Sequence, residues 1–583
     1  MSTAAATGPA PGSASNRPTS DATESARRTT RQSFRVAAVF SDGMVLQRDR
    51  PVVVFGTGIP DTGITVGIDG KRAETTIGAD GAWAVTLPAM PAGGPHTLQV
   101  ADGEERIAYR DVLVGEVWLA SGQSNMELEL RNSLRPADAI AGSRDPLLRF
   151  YNTPKTGELD AAAENVSCWR SAAENVSCWR SAAPDTVGTV SAVAYYAARR
   201  LRDELGDVPV GVIDCYVGGT SVTCWMSGEN LSRSEAGRGY LDRYHAQIAG
   251  KSDTECRAMF ADWQARSDAW NAAVASARAA DPDITQAAID KRLGPCPWPP
   301  PMTPFSQFRP TGPFTAMLRR VAPFVVRGCL WYQGEEDEAY CDDYRHLLGD
   351  MIAEWRRLWS DGALPFLIVQ LPRWSDRAAD ESGVPPNHWP QIRAAQRNAA
   401  DTIPDVYLVP IIDCGEYDNI HPLDKRTVGE RLAAVALRRV YGREGMATDG
   451  PVLDSVEPRE DGSLVIRLSH AEGLHFGHYN GDELGTDIAA PLGEPTGDPL
   501  YRNADGSGFE LSCGDGRWTP AAARIDGSQV QVDASGVPAP KLVRYAWKPW
   551  GPAPLFNDVA GVRLPAEPFC RPVDARDAVH EGL

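Results

Sequence analysis

Three absences from this sequence of 583 residues each exclude a class of protein. There is no run of about 18 consecutive apolar residues, so the sequence predicts no membrane-spanning helix and no membrane partner. No block of Lys and Arg offsets the formal net charge of −19, which excludes a polyanion such as nucleic acid as the partner. The 11 cysteines are scattered and form no CxxC pair, so neither a zinc site nor a disulfide framework is predicted.

The composition that is present is that of a turn-rich globular protein. Hydrophobic residues make up 43% of the chain and charged residues 23%, which excludes disorder throughout. Gly (54) and Pro (45) together form about 17% of the chain, against roughly 12% in an average protein, and this indicates many turns and a large β content. At roughly 150 residues per domain, the length predicts two to four structural units.

The ends of the chain predict two tails. Residues 1–33 are rich in Ala, Ser, Thr and Pro and are expected to be disordered, as are residues 573–583. The cluster Arg27, Arg28 and Arg31 leads into polar residues instead of the apolar stretch of a secretory signal, so we expect a cytoplasmic protein with reduced thiols. Export through the Arg27–Arg28 pair is the alternative.

A perfect tandem repeat is the one local oddity. The segments 162–171 and 172–181 both read AAENVSCWRS. Two copies are too few for a solenoid, which needs at least about three stacked units. We interpret the repeat as a duplication tolerated in a surface loop, with an error in the sequence as the alternative, and not as a functional Cys/Trp cluster.

The hydrophobic pattern changes twice along the chain and predicts three units. Residues 34–110 alternate short strands with Gly/Asp/Pro turns, which is typical of a β-sandwich. Residues 111–445 alternate buried strands with amphipathic helices, which predicts an α/β unit with a parallel sheet, interrupted at 228–307 by a helical insertion with a Pro-rich end. Residues 446–572 return to strands and turns and predict a C-terminal β domain.

Ligand sites in open parallel sheets lie beyond the carboxyl ends of the strands, so these positions are the first place to look for chemistry. After the strand Val114–Ala120 the chain reads SGQSNME, which places Ser124 at a strand-to-helix turn where its hydroxyl can act as a nucleophile. A capping box formed by Ser124 and Glu127 is the structural alternative. The GxSxG elbow of lipases is absent, since Met126 occupies the second Gly position.

Two further strand ends carry groups suited to an oxyanion. Gly218 and Gly219 allow close backbone approach and can aim an N–H at a ligand, although a tight turn explains them equally well. Gln333 follows a buried strand, where an amide must find hydrogen-bond partners. The acidic residues that follow it, 335–337, either cap a helix or are solvated.

The last strand of the α/β unit leads to Asp418 and His421. A carboxylate three residues before a histidine can orient the imidazole and leave its other nitrogen free to take a proton from a serine. An Asx-turn is the alternative for this pair alone. The combination of Ser, Gly, amide and Asp-x-x-His, each at a strand end, indicates a serine hydrolase.

These segments together carry a family resemblance. The chain resembles the sialate O-acetylesterase family, a branch of the SGNH hydrolases, over most of residues 35–572. The resemblance rests on the residues Gly115–Met126, Gly218–Thr220 with Trp225, Trp331–Glu335, Asp418 to Pro422, Val543–Trp547 and Pro565–Phe569. The GQSNM and WYQGE segments are its specific motifs.

The resemblance implies a fold, an activity and a set of residue roles. The fold would be a flavodoxin-like SGNH core with a parallel sheet, flanked by the two β units. Ser124 would be the nucleophile, His421 the general base and Asp418 its orienting partner. The oxyanion hole would use the Ser124 N–H, the N–H of Gly219 (or Gly218) and the Gln333 amide. The enzyme would remove O-acetyl groups from carbohydrate through an acetyl-serine intermediate, with no cofactor and no metal.

The substrate itself is less constrained by the sequence. We predict that Trp331, Tyr332 and Glu335 contribute to substrate binding, and that Arg393 meets the carboxylate of a sialic acid, with an ordinary surface Arg as the alternative. An acetylated plant polysaccharide such as acetylxylan is the alternative substrate. The pair Glu336–Asp337 departs from the small polar pair often found after WYQGE in the family.

Two other function classes remain open. A non-catalytic carbohydrate-binding protein with a hydrolase-like core would use some of the 16 Trp residues to stack on sugars. A metalloenzyme would use His470, His475 and His478, whose spacing is more typical of an exposed loop.

Overall fold

The computed structural model describes most of the chain. It covers residues 33–155, 178–281, 284, 286–375, 387–417, 419–477, 483–485, 487–488 and 506–573. Strands dominate both ends of this part of the chain, and strands alternate with helices in the middle.

Eight strands form the N-terminal β unit. They are β1 (Phe34–Val36), β2 (Val45–Gln47), β3 (Val52–Gly58), β4 (Gly63–Ile68), β5 (Lys71–Thr76), β6 (Ala82–Leu87), β7 (Gly93–Ala101) and β8 (Arg106–Gly122). One sheet has the order β1-β3-β6, and β4, β5 and β7 join β8 in a second. Alternation along β6 places Trp83, Val85 and Leu87 in the interior and the residues between them in solvent, as expected for a half-buried strand.

The long strand β8 belongs to two units at once. Its first residues pair antiparallel with β7, and its later residues pair in parallel with strands of the central sheet. The predicted boundary between residues 110 and 111 therefore falls inside one continuous strand. Asp111 has a positive φ of 55° at that point.

The central sheet is parallel and buried. Its further strands are β9 (Asp145–Asn152), β10 (Trp179–Ala182), β11 (Val210–Tyr216), β12 (Gly328–Tyr332), β13 (Phe366–Val369) and β14 (Val406–Val409). The order is β10-β9-β11-β8-β12-β13-β14, and every neighbouring pair is parallel except β10 with β9. All residues of β11, β12 and β13 are buried, which agrees with their continuous apolar character.

The helices lie between these strands. They are α1 (Ser124–Glu127), α2 (Ala137–Ala141), α3 (Ala192–Leu205), α4 (Gly228–Leu231), α5 (Glu235–Ile248), α6 (Asp253–Ala280), α7 (Gln286–Leu293), α8 (Arg319–Val321), α9 (Cys341–Leu358), α10 (Trp389–Thr402) and α11 (Lys425–Val435). Short 3₁₀ turns cover Leu130–Asn132, Val187–Thr189, Val222–Trp225, Glu335–Tyr340 and Ile412–Cys414, and π-helical turns cover Phe314–Leu318 and Ala436–Val440. Helix α3 packs against α11, and α9 packs against α10.

The predicted insertion at 228–307 contains helices α4 to α7 and the Pro-rich loop. The longest helix, α6, begins with a capping box in which Ser252 and Glu255 each bond the other's backbone N–H. The loop that follows α7 passes close to the carboxyl ends of the sheet strands, because its Trp298 lies against Gly219.

Three antiparallel sheets form the C-terminal β unit. The strands are β15 (Val452–Pro458), β16 (Ser463–Ser469), β17 (His475–Gly477), β18 (Glu483–Gly485), β19 (Asp487–Ile488), β20 (Phe509–Ser512), β21 (Thr519–Pro520), β22 (Ala523–Asp526), β23 (Gln529–Asp533), β24 (Leu542–Tyr545), β25 (Leu555–Val559), β26 (Val562–Pro565) and β27 (Phe569–Pro572). Their orders are β15-β16-β23-β22-β19, β18-β17-β25-β26 and β21-β20-β24-β27. Ile466, Phe476 and Tyr545 belong to a hydrophobic core separate from that of the rest of the molecule.

The predicted α/β class with β units on either side is confirmed. No helix within the described ranges is long and apolar enough to cross a bilayer. Most of the tandem repeat lies outside the described residues. The end of its second copy forms β10, where Trp179 is buried and donates to the Val39 carbonyl at 2.8 Å, so this end is part of the core and not of a surface loop.

A buried carboxylate ties the N-terminal β unit to the central sheet. Glu116, on β8, has no exposed side-chain surface and accepts hydrogen bonds from Arg48 (2.5 Å) and Arg327 (2.7 Å) and from Gln47 (3.1 Å). Arg48 follows β2 and Arg327 precedes β12, so one side chain joins three segments. Although burial opposes its charge, the hydrogen bonds and the charge of Arg327 lower the pKa of Glu116 below its ordinary value.

Replacing this carboxylate should destabilise the protein strongly. We expect Glu116→Ala to lower the free energy of unfolding by about 3 kcal/mol, because it leaves the largely buried guanidinium of Arg327 without its counter-charge and Arg48 with only its longer contact to Asp49, at 3.6 Å. Denaturant unfolding followed by fluorescence measures the change. Since the pKa of Glu116 is lowered, the stabilisation is present above the ordinary Glu pKa and is lost as the pH falls through the folded value.

Glu457→Ala is the matched control. Glu457 pairs with Arg467 on the surface, where about half of each side chain is exposed and solvent screens the charges, so its loss should lower the free energy of unfolding far less than Glu116→Ala does. Equal effects of the two substitutions would contradict the structural role of Glu116.

Candidate active site

The register of the central sheet brings three loops to one place. In the two ladders of β8, Gly122 is the partner of Tyr216 at the end of β11 and of Tyr332 at the end of β12. Gly122 has a φ of 131°, and a Cβ there would lie 2.1 Å from the Tyr332 carbonyl oxygen, so only glycine fits. The segments that follow these strands therefore start side by side at the carboxyl edge of the sheet.

Ser124 is the first residue of α1, two residues after the end of β8. Its Oγ lies 2.7 Å from Nε2 of His421. The capping box considered for this segment is not formed: Gln123 is the N-cap residue and makes no side-chain cap bond. The Glu127 carboxylate instead accepts from the Gly218 N–H and from Lys155.

His421 lies in the loop between β14 and α11. Its backbone N–H donates to Oδ1 of Asn419 at 3.1 Å, and Nδ2 of Asn419 donates to Glu416 at 2.8 Å. The Glu416 carboxylate also accepts from the Leu423 N–H at 2.7 Å, which closes the loop around the histidine. Asp418, the predicted orienting partner of His421, lies outside the described residues.

A buried polar network ties this loop to helix α1, which Ser124 begins. Asn125, directly after Ser124, donates through Nδ2 to Oε1 of Glu335 (2.5 Å) and to the Ile420 carbonyl (2.9 Å). Its Oδ1 accepts from Nζ of Lys425 at 2.5 Å. The side-chain amide of Asn125 thus holds Ile420, the residue before His421, next to α1. Because Asn125 is buried, these hydrogen bonds are stronger than they would be in water.

The tandem glycines lie against Ser124. A Cβ on Gly218 would be 3.1 Å from the Ser124 Cβ, so the backbone of this turn contacts Ser124 directly. The Gly218 N–H donates to Glu127, whereas the Gly219 N–H has no acceptor among the described residues. Gly219 has a φ of 69°, a left-handed backbone conformation that glycine adopts without strain.

Gln333 is fully buried beyond the end of β12. Its Nε2 donates to Oδ2 of Asp337 at 2.5 Å and to the Thr220 carbonyl at 3.1 Å. Oε1 of Gln333 has no partner in the described part of the chain. Asp337 also accepts from the Val222 N–H (2.8 Å) and from the Tyr240 hydroxyl (2.7 Å), so it anchors Gln333 to the segment that follows Gly219.

Three predicted substrate-binding residues lie in the interior. Trp331 and Tyr332 have no exposed surface, and Trp331 packs edge to face against Trp225 and Trp355. Glu335 is 7% exposed and bonds Asn125. In this structure these side chains support the site from behind and do not line its surface.

Arg393 is also buried and serves the C-terminal β unit. Its guanidinium donates to the carbonyls of Ala546 (3.3 Å), Lys548 (3.1 Å) and Pro549 (3.1 Å), and it has no exposed surface. Burial lowers its pKa to about 9, with a contribution from Arg373. The geometry assigns Arg393 to holding the segment after β24, so a substrate carboxylate would have to meet another cation.

The histidines considered for a metal site belong to the C-terminal β unit. Nδ1 of His475 lies 2.9 Å from the Gly473 carbonyl, and the ring stacks on Phe556. His470 lies in a turn with a φ of 51°, and His478 lies outside the described residues. Within the described ranges, no group of three or more His, Cys, Asp or Glu side chains is arranged to hold a metal ion.

Burial and positive charge shape the electrostatics around His421. They lower the pKa of His421 to about 4: burial has the largest effect, and the charges of Lys425 and Arg278 add to it. Burial also lowers the pKa of Lys425 to about 8 and raises the pKa of Glu335. A histidine with a lowered pKa stays neutral, and so able to accept a proton from Ser124, far into the acid range.

The sequence pattern did not single out Lys425, Asn419 or Glu416. A lysine in the first turn of a helix is ordinarily a surface residue, and only 1% of Lys425 is exposed here. A weak signal was the position of Lys425 four residues after His421, which keeps it close to the site. Asn125 belonged to the GQSNM motif, but nothing in the pattern assigned it a partner.

The pH dependence of Ser124 reactivity should follow His421. We expect the rate at which a fluorophosphonate labels Ser124 to fall to half at a pH of about 4, because the protonated imidazole cannot accept the serine proton. Mass spectrometry of the labelled peptide measures the rate at each pH.

An Arg278→Ala variant tests the cause. Removing this positive charge should move the midpoint to higher pH. A midpoint near the ordinary histidine value of about 6.5 in the unaltered protein would contradict the prediction, and would mean that a negative charge such as that of Asp418 offsets burial.

Comparisons with known proteins agree with this geometry. A sequence model of the family described as "Carbohydrate esterase, sialic acid-specific acetylesterase" matches residues 302–438, which include Gln333 and His421. The chain is 25% identical to human sialate O-acetylesterase, over 92% of each chain, and 24% identical to the mouse protein, over 93% of this chain and 95% of that one.

A solved structure extends the likeness to three dimensions. The crystal structure of a carbohydrate acetylesterase from Xanthomonas citri superposes with a TM-score of 0.66 at 29% identity, covering 92% of this chain and 99% of that one. The predicted resemblance to the sialate O-acetylesterase family is thus confirmed, and with it the predicted class of enzyme, a carboxylic ester hydrolase.

Proposed function

We propose that this protein is a serine esterase that removes O-acetyl groups from carbohydrate, with O-acetylated sialic acids as the preferred substrates, through an acetyl-serine intermediate. The observation that carries the proposal is the 2.7 Å contact between Oγ of Ser124 and Nε2 of His421 at the carboxyl edge of the sheet. Similarity to sialate O-acetylesterases along nearly the whole chain supports acetylated sugars as the substrates.

The proposed reaction has two steps. Oγ of Ser124 attacks the acetyl carbonyl carbon while Nε2 of His421 takes its proton, and the sugar hydroxyl leaves as His421 returns that proton. Water then attacks the carbonyl carbon of the acetyl-serine while Nε2 of His421 takes its proton; the bond from that carbon to Oγ of Ser124 breaks, Oγ takes the proton back from His421, and acetate is released. Asp418 is proposed to orient the imidazole through Nδ1, on the ground of its spacing from His421.

The proposed oxyanion hole uses three donors. The N–H groups of Ser124 and Gly219 have no other acceptor among the described residues, which leaves them available to a tetrahedral intermediate. The Gln333 amide is the third donor, and the oxyanion would take the place of the Thr220 carbonyl, the longer of its two contacts at 3.1 Å. The Gly218 N–H is engaged by Glu127, so the geometry favours Gly219 over Gly218.

We further propose that the core is a flavodoxin-like SGNH arrangement. The five strands β8, β11, β12, β13 and β14, numbered along the chain, lie in the order 2-1-3-4-5, with β9 and β10 added at one edge. That order is the one found in flavodoxin-like sheets, and it supports the proposal.

Ser124→Ala tests the nucleophile. We expect acetate release to be almost abolished with an unchanged melting temperature, because the hydroxyl is lost and the fold is kept. A fluorophosphonate probe should label the unaltered protein at Ser124 and leave the variant unlabelled. An unlabelled Ser124 in the unaltered protein would favour the non-catalytic carbohydrate-binding protein instead.

Gln333→Ala tests the oxyanion hole. Loss of one donor should lower kcat by on the order of 10²–10³ on an aryl acetate. Gln370→Ala is the matched control, because Gln370 is a buried glutamine that follows the adjacent strand β13 and donates to the Arg393 carbonyl. Similar kcat values for the two variants would remove Gln333 from the oxyanion hole.

The choice of sugar is decided by a substrate panel. Acetate release from O-acetylated sialic acids, acetylated xylo-oligosaccharides and simple aryl acetates compares the proposed sialate substrate with a plant polysaccharide. Faster release from the xylo-oligosaccharides would contradict the sialate assignment while keeping the esterase chemistry.

A further inference from the structure

Trp298 is an exposed tryptophan at the edge of the candidate active site. It lies in the Pro-rich loop that ends the helical insertion, and 43% of it is exposed to solvent. Tryptophan is mostly buried in folded proteins because its ring is large and apolar, so an exposed ring beside the candidate active site indicates a binding surface.

The ring lies directly on the glycine turn. A Cβ placed on Gly219 would be 1.9 Å from Cη2 and 2.6 Å from Cζ2 of Trp298, so the indole occupies the space that any other side chain at 219 would need. The six-membered ring of the indole therefore contacts Gly219, the proposed oxyanion donor, and Gly218 next to it contacts the proposed nucleophile Ser124.

The surroundings of Trp298 hold it in place. Its ring packs edge to face against Phe308 at 5.6 Å between centroids, and Phe308 packs the same way against Trp263 at 5.4 Å. Trp263 donates through Nε1 to the Pro297 carbonyl at 2.6 Å, and the Trp298 N–H donates to the Cys296 carbonyl at 2.7 Å. An aromatic row anchored on α6 thus fixes an exposed ring, which is the arrangement of a preorganised binding surface.

We propose that Trp298 is a specificity-determining residue that stacks against the pyranose ring carrying the scissile acetyl group. The inference rests on the proposed function. An indole offers a flat apolar face of the size of a sugar ring, and its rigid support means that little entropy is lost on binding. The α/β core carries the residues that react, and Trp298 of the insertion contacts the sugar, which is the alcohol part of the ester.

Kinetics with two kinds of substrate test this role. The probes are an acetylated xylo-oligosaccharide and a 4-O-acetylated sialic acid, both of which carry the acetyl group on a pyranose carbon, compared with ethyl acetate, which has no ring to stack. We expect Trp298→Ala to raise KM for the preferred saccharide on the order of 10-fold, with kcat changed less, and to leave kcat/KM for ethyl acetate within about twofold. Trp298→Phe should restore most of the saccharide affinity.

Trp518→Ala is the matched control. Trp518 is a partly exposed tryptophan of the C-terminal β unit that stacks over the Arg544 guanidinium at 4.1 Å, so its loss should change neither substrate's kinetics. The comparison separates a local effect at the site from a general effect of removing an exposed indole.

The outcomes distinguish the inference from the proposed function. Equal losses on saccharide and ethyl acetate would overturn the inference, because Trp298 would then act only by supporting Gly219. An unchanged KM for the saccharide would also overturn it while the esterase proposal stands. Absence of acetate release and of Ser124 labelling in the unaltered protein would overturn both.

Discussion

The candidate site depends on the register of three parallel strands. Because Gly122 pairs with both Tyr216 and Tyr332, the segments carrying Ser124, Gly219 and Gln333 leave the sheet at one level. A one-residue slip of β8 would turn its side chains to the opposite face and move Ser124 away from the glycine turn. Only a glycine at position 122 allows this register, because the Tyr332 carbonyl oxygen occupies the position that a Cβ would take.

The second constraint is the polar interior behind Ser124 and His421. Asn125, Glu335 and Lys425 form a buried hydrogen-bonded set, and Asp337 holds Gln333 in the same way. Such groups are costly to bury unless each finds partners, so the set is stable only in one arrangement. The interior thus fixes the relative position of two loops that are about 300 residues apart along the chain.

Much of this arrangement could be predicted from the sequence, and the limits have physical reasons. The strand-end rule located Ser124, Gln333 and His421, because apolar runs followed by polar clusters are a local signal. The pattern could not tell which way a side chain faces, so Trp331 and Tyr332 were assigned to the substrate although they lie inside. No hydrophobic alternation could indicate strand β5, because Lys71–Thr76 contains almost no apolar residue and lies at a sheet edge. The role of Arg393 depends on the segment 546–549, which only the folded chain brings near.

The continuity of β8 bears on how this protein can be divided or recombined. One strand of 17 residues serves the N-terminal β unit with its first part and is followed directly by the segment that contains Ser124. Cutting the chain at the compositional boundary would deprive the central sheet of the hydrogen bonds that β7 and β2 make to the same strand. The N-terminal unit is therefore no detachable module: gene fusions or domain exchanges that respect the fold must carry residues 34–122 together with the α/β core.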